Sequence, residues 1–222
     1  MPIILNIDCS QETASICLAK DEKSLGLLLN DNQSDHASWI HIAIEQLMAA
    51  AGISLQQLEA VAVTIGPGSY TGLRVGLATA KGLCYALRKP LITIPTLKMM
   101  AYAARNTNAE LICPMIDARR MEVYAAIYDK KMTEIVPAEA LTIEPTTYHQ
   151  YITAHPICFL GSGSKKLQSV LTTANATFEE ISFNAIDLIA LSLGDYQLQA
   201  FASLAYTEPL YIKDFYTAGR RK

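Results

Sequence analysis

Residues 2–19, PIILNIDCSQETASICLA, hold two apolar, β-branched runs, PIILNID (2–8) and TASICLA (13–19), separated by a polar turn. Such runs bounded by turn residues predict paired β-strands, the first ending on Ile7-Asp8. The same grammar recurs far downstream, where LICPMID (111–117) ends on Ile116-Asp117 and EVYAAIYD (122–129) follows after a turn. Repetition of a strand–Ile-Asp–turn–strand unit predicts an internally duplicated chain.

Working outward from the first copy, SLGLLLN (24–30) predicts a third strand in an antiparallel meander. A helix over 36–51 follows, with Asp35 or Ser34 to cap it and Gly52 to end it. A strand at 59–65, a helix at 71–88 and a strand at 91–94 complete the first unit. The second unit opens with a helix near 96–106 and repeats the pattern with strands at 111–117, 122–129, 134–142 and 157–161. Its helices are expected at 145–153, 164–173 and 184–203. The reading is α/β: two lobes, 1–97 and 98–222, each a mixed sheet covered by helices, with the C-terminal segment in reach of the first lobe.

With 222 residues, 51% hydrophobic and 18% charged, the chain is neither a disordered tail nor a disulfide mini-protein. Eighteen Lys+Arg against 21 Asp+Glu leaves no overall basic field, so any RNA partner would be reached indirectly, through a second protein. Cys9, Cys17, Cys84, Cys113 and Cys158 have neither zinc-ligand nor disulfide spacing, and reduced, buried thiols are expected. The N-terminus lacks the pattern of a signal peptide, and no charge-free stretch is long enough to cross a bilayer. A cytoplasmic protein with no membrane contact follows as the expectation.

The glycine-rich segment GPGSYTGLRVG (66–76) lies between a predicted strand and a predicted helix. Gly66 and Gly68 permit close backbone approach, so the loop reads either as a phosphate cradle at a helix N-terminus or as a tight turn; it lacks the Gly-Lys-Ser/Thr ending of a phosphate loop. Asp8 and Asp117, on the echoing strands, are the candidates for paired cleft carboxylates, or else they cap their turns. Arg119, Arg120 and Met121 crowd the second of these turns. His36 and His41 lie on different helix faces, so no metal site is expected, and no nucleophile–base pair is present. No cofactor is assigned.

The helices predicted over 36–51 and 71–88 are apolar nearly all round. From Ala37 to Ala51 the only charge is Glu45, and Gly72, Gly76, Ala80 and Cys84 form a small-residue stripe on the second helix. Either the lobe covers both helices itself or a partner protein does. Glycine inside a helix costs about 1 kcal/mol relative to alanine, and close approach of another helix along the stripe would offset that. The terminal Arg220-Arg221-Lys222 reads as a solvated cluster.

The order β-β-β-α-β-α, twice over, is similar to the duplicated fold of the actin, sugar-kinase and Hsp70 superfamily, whose lobes trap a nucleotide. Four ordered motifs, ILNIDCSQETASICL (4–18), GPGSYTGLRVGLATAKGL (66–83), IDARRMEVYAAIY (116–128) and EPLYIKD (208–214), resemble the bacterial TsaB (YeaZ) family. Cys9 stands where that family usually has Thr, Arg120-Met121 where a small residue is common, and Lys213 for a usual Arg. The resemblance implies a non-catalytic scaffold subunit in making threonylcarbamoyladenosine in tRNA. It also implies packing against the catalytic paralogue TsaD, docking of a TsaE-like ATPase, and a homodimer when alone. Carried over, the docking helices are 36–50 and 71–87. The expected contacts are Trp39, Ile40, Ala43 and Leu47 on the first helix and Thr71, Gly72, Val75, Gly76, Thr79, Ala80 and Leu83 on the second. The alternative is a small-molecule kinase or ATPase of the actin-like fold, working through Asp8, Asp117 and the glycine loop.

Overall fold

A computed structural model describes residues 1–32, 35–171 and 173–213. Ser34, Asp214 and the Arg220–Lys222 cluster lie outside them. The first unit contains β1 (Ile3–Asp8), β2 (Ala14–Lys20), β3 (Lys23–Asn30), α1 (His36–Ala51), β4 (Ala60–Thr64), α2 (Tyr70–Leu87) and β5 (Leu91–Ile94). Its sheet runs β3-β2-β1-β4-β5, antiparallel through the first three strands and parallel from β1 to β5. The second unit contains α3 (Thr96–Ala103), β6 (Leu111–Asp117), β7 (Glu122–Asp129), β8 (Glu134–Thr142), α4 (His149–Ala154), β9 (Ile157–Leu160), α5 (Ser164–Gln168), β10 (Ala176–Glu179) and α6 (Leu188–Gln197). Its sheet, β10-β9-β6-β7-β8, repeats the first with β6 in the place of β1. Ile7↔Ile16 and Ile116↔Tyr124 hold equivalent antiparallel pairings. This is the duplicated actin-like fold.

β1 and β4 are buried on both faces, which is why IILNI and AVAVT are apolar without strict alternation. On one face, Leu5, Ile7, Val61 and Val63 meet Ile40, Ile44 and Leu47 of α1 and Leu77 and Ala80 of α2. On the other, Ile4, Ala62 and Ile94 meet Leu188 and Ile189 of α6. The second sheet is sandwiched likewise, by Ile152 of α4 and Leu167 of α5 on one side and Leu97, Met100 and Ala101 of α3 on the other. α3 therefore covers its own unit's sheet, whereas α6, from the same unit, crosses over to cover the first. Buried hydrogen bonds tie the return, Ser192 Oγ donating to Asn6 Oδ1 at 2.7 Å and the Ala185 amide to Ser15 Oγ at 2.9 Å.

Some boundaries differ from the sequence reading. The helix expected over 164–173 stops at Gln168, and the one expected over 184–203 occupies 188–197. Asn184 and Asp187 form a local side-chain turn that delays its start. β10, with sequence ATFE, was not anticipated. Gly52 ends α1 in the left-handed region at φ 65°, whereas Asp35 sits at its N-cap position without bonding a helix amide.

Candidate functional site: the interlobe cleft and an outward helix face

The two echoing aspartates sit in opposite environments. Asp8, at the end of β1, is 2% exposed, and its Oδ1 accepts from the Ser10 amide at 3.0 Å and the Thr64 hydroxyl at 2.6 Å. Burial pushes its pKa up, against the pull of these hydrogen bonds. Asp117, at the end of β6, is exposed; its Oδ1 accepts from Lys166 Nζ at 2.7 Å and the Arg119 amide at 2.6 Å. The Lys166 hydrogen bond holds that carboxyl below its ordinary range. Both side chains cap their own turns, and neither is presented to the cleft as a free carboxylate.

The glycine loop is packed against protein. A Cβ on Gly68 would lie 2.2 Å from the Ser10 carbonyl oxygen, and the neighbouring Ser69 amide donates to that oxygen at 2.7 Å. Gly66, at φ 118°, lies against the Leu210 carbonyl, and its own carbonyl accepts from the Thr96 amide. Ser69 caps α2 by accepting from the Gly72 amide at 3.3 Å. The glycines thus let the loop close over the β1–β2 turn.

What remains open between the lobes is a cavity of about 740 Å³. Pro67, Gly68, Tyr70 and residues 210–213 line it from one lobe, and Ala118, Arg119, Arg120, Glu122 and Tyr124 from the other. The lining residues 210–213 belong to a segment, 207–213, that is strapped onto the rest of the chain. The Leu210 amide donates to the Ile65 carbonyl at 2.7 Å, and Lys81 Nζ donates to the Thr207 carbonyl at 3.1 Å. Arg74 stacks on Tyr70 at 3.9 Å and donates to the Tyr211 hydroxyl at 3.0 Å. Lys213 forms an ion pair with Glu122, joining the strap to the second lobe. The Tyr70–Arg74–Tyr211 cluster was not foreseen; its only trace in the sequence is the motif EPLYIKD.

The small-residue stripe expected to meet another protein instead faces the chain's own sheet. A Cβ on Gly72 would lie 2.0 Å from the Cys9 carbonyl oxygen, and one on Gly76 would touch Cys9 and Val63. Ile40, Ala43, Leu47, Thr79 and Ala80 are buried as well. These seven expected contacts are corrected to inward-facing positions: intramolecular packing is what offsets the helix glycines. Of the residues assigned to the interface, Thr71 is exposed and Trp39, Val75 and Leu83 are half-buried. The outward face of α2 carries Thr71, Val75, Ala78, Gly82 and Ala86, with Tyr85 81% exposed. Beside it α1 exposes Ile42 and Ala49. A groove of about 460 Å³ beside the helices is lined by His41, Ile44, Glu45 and Met48 of α1, Leu83 of α2 and residues 53–55. Arg74 is the only charge fully exposed on α2.

A family model described as TsaD, tRNA N6-adenosine threonylcarbamoyltransferase, matches residues 19–146. The tRNA threonylcarbamoyladenosine biosynthesis protein TsaB of Haemophilus influenzae is 30% identical over 231 aligned residues, covering 95% of this chain and 93% of that protein. TsaB of Bacillus subtilis is 30% identical over 161 residues, 71% of this chain and 70% of its own length. A Pseudomonas aeruginosa crystal structure described as similar to the peptidase YEAZ superposes with a TM-score of 0.86 at 24% identity, covering 96% of this chain and all of that one, and carries the same fold. With near-complete coverage of a TsaB protein and the duplicated architecture in place, the chain belongs to the TsaB family of tRNA threonylcarbamoyladenosine biosynthesis proteins.

Proposed function

We propose that this protein is a non-catalytic subunit of the tRNA threonylcarbamoyladenosine system that binds a TsaD-like paralogue through the outward face of α1 and α2. The observation that carries this reading is the composition of that face. Thr71, Val75, Ala78, Gly82 and Ala86 follow one another at helical spacing, so another helix can approach closely, while Ile42 and Tyr85 stand far out of the surface. Burying such large side chains contributes about 1.5–3 kcal/mol each, before the cost of association is subtracted. In the absence of the paralogue the same face serves a second copy, giving a homodimer. A TsaE-like ATPase docks on the assembled pair, and tRNA is reached through the complex. Five free, buried cysteines suit work in the reducing cytoplasm, and among the described residues no helix is long and apolar enough to cross a membrane.

A kinase or ATPase has less to work with. Asp8 is buried and hydrogen-bonded to Thr64, Asp117 is held by Lys166, and Glu122, the one carboxylate lining the cavity among the described residues, is paired with Lys213. The test is to mix the purified chain with the TsaD-like protein of the same organism and weigh the product by light scattering. A stable heteromeric species is expected, with no phosphate release from ATP by the isolated chain. Two unassociated proteins, or turnover by this chain alone, would overturn the reading.

A further inference from the structure

We infer, on the strength of the subunit role proposed above, that the docking face has a third element: residues 204–211 run along one flank of α2, and Tyr206 on this segment anchors a helix of the TsaD-like paralogue. The course of the segment is the first ground. Leu204 and Tyr85 line one hollow at the C-terminal end of α2. Lys81 Nζ donates to the Thr207 carbonyl at 3.1 Å, and Arg74 donates to the Tyr211 hydroxyl at 3.0 Å. Residue numbers thus fall from 85 through 81 to 74 along α2 while they rise from 204 through 207 to 211 beside it, so the two lie antiparallel. At about 3.6 residues per turn, Arg74, Lys81 and Tyr85 share one flank of the helix. Leu83, which lines the groove beside α1, lies on the other flank, and Thr71, Ala78 and Gly82 lie between. The face is therefore a trough, with a floor of small residues on α2, α1 along one side and residues 204–211 along the other.

Exposure is the second ground. Tyr206 is 87% exposed and Tyr85 81%. Apart from Met1 and Leu198, no other large apolar side chain among the described residues exceeds the 57% of Ile42, which is on α1. The Tyr206 ring makes no ring contact and no side-chain hydrogen bond among the described residues. Large apolar groups left bare together beside one helix mark a surface that another protein covers.

Energetics supply the third ground. The floor residues admit a close helix but offer little area, whereas a stable interface buries about 800 Å² on each partner. Its energy is concentrated in a few large side chains, tyrosine prominent among them. Tyr85 and Tyr206 flank the floor and can serve as such anchors. Charge narrows the occupant. Between Arg74 and Arg88 the only charged residue of α2 is Lys81, half-buried and bonded to the segment, so the trough suits an apolar helix. The paralogue has helices of the right kind to offer, because the TsaD model matches a span that includes both α1 and α2.

The experiment is calorimetric titration of the TsaD-like protein of the same organism with the full chain and its variants, beside light scattering of this chain alone. Tyr206→Ala should weaken the complex roughly tenfold or more, whereas Tyr206→Phe, which keeps the ring, retains most of the affinity. Ile135→Ala, at an exposed apolar position on β8 of the second unit, is the control and binds as wild type does. All three variants should melt as wild type does, since the positions are exposed. Undiminished binding by Tyr206→Ala would overturn the assignment. So would an equal loss in Tyr206→Phe or Ile135→Ala, or a loss confined to self-association of this chain. Each of these leaves paralogue binding, and with it the subunit role, standing. Absence of any complex with the wild-type chain would overturn the assignment and the subunit role together.

Discussion

Gly72 lies directly under the carbonyl oxygen of Cys9, so close that a Cβ at that position would come to 2.0 Å from it. This contact fixes α2 against the β1–β2 turn and decides which side of the helix faces water. Gly72→Ala is expected to destabilise the protein by more than about 2 kcal/mol, because peptide backbone must move to relieve the overlap. Gly82, on the opposite side of the same helix, has nothing within 4 Å of an added Cβ. Gly82→Ala should therefore stabilise by up to about 1 kcal/mol through helix propensity alone. Urea denaturation of the two variants checks the pair, and similar effects at both sites would contradict the orientation of α2.

The aspartates that mark the duplication should respond oppositely to pH. Asp8 has a folded pKa above its unfolded value, so its charged form opposes folding. Wild type should lose stability relative to Asp8→Asn as pH rises from the ordinary carboxylate range through the raised value, and the difference should then level off. Asp117 has a folded pKa below its unfolded value, so its contribution is present at neutral pH and fades as pH falls through the depressed value. Because Asp117 is exposed, Asp117→Asn should cost less than about 1 kcal/mol near neutrality. Denaturation curves recorded from acid to neutral pH would show slopes of opposite sign.

Tyr211 anchors the strap through Tyr70 and Arg74. Its replacement by alanine should speed hydrogen exchange at the Leu210 amide, which bonds the Ile65 carbonyl, while β1 and β4 amides stay protected. Unchanged exchange at Leu210 would mean that the strap is held by its backbone alone.

The duplication was legible because it is written in local signals: apolar β-branched runs, a repeated Ile-Asp ending, and polar turns of similar length. β10 was missed because Ala176–Glu179 is a short, partly exposed run alternating with polar residues. α2 was placed correctly but turned the wrong way. In a helix apolar nearly all round, periodicity shows that Gly72, Gly76 and Ala80 share one face and that Thr71, Ala78 and Gly82 share another. Only the packing of Cys9 and Val63 shows which of the two is inside. Of the residues read as cleft candidates, Gly68 lines the cavity, whereas Asp8, Asp117 and Gly66 are not among its lining residues. The strap joins Arg74 to Tyr211 across 137 residues, and no local pattern foretells such a contact.

The most direct measurement titrates the TsaD-like paralogue with wild type, with Ala78→Arg on the outward face of α2, and with Gln150→Arg on exposed α4 as a control. A long cation placed in the small-residue face should abolish or severely weaken complex formation, while Gln150→Arg binds as wild type does and all three proteins keep the same melting behaviour. Undiminished binding by a folded Ala78→Arg protein would contradict the docking face at the centre of this account.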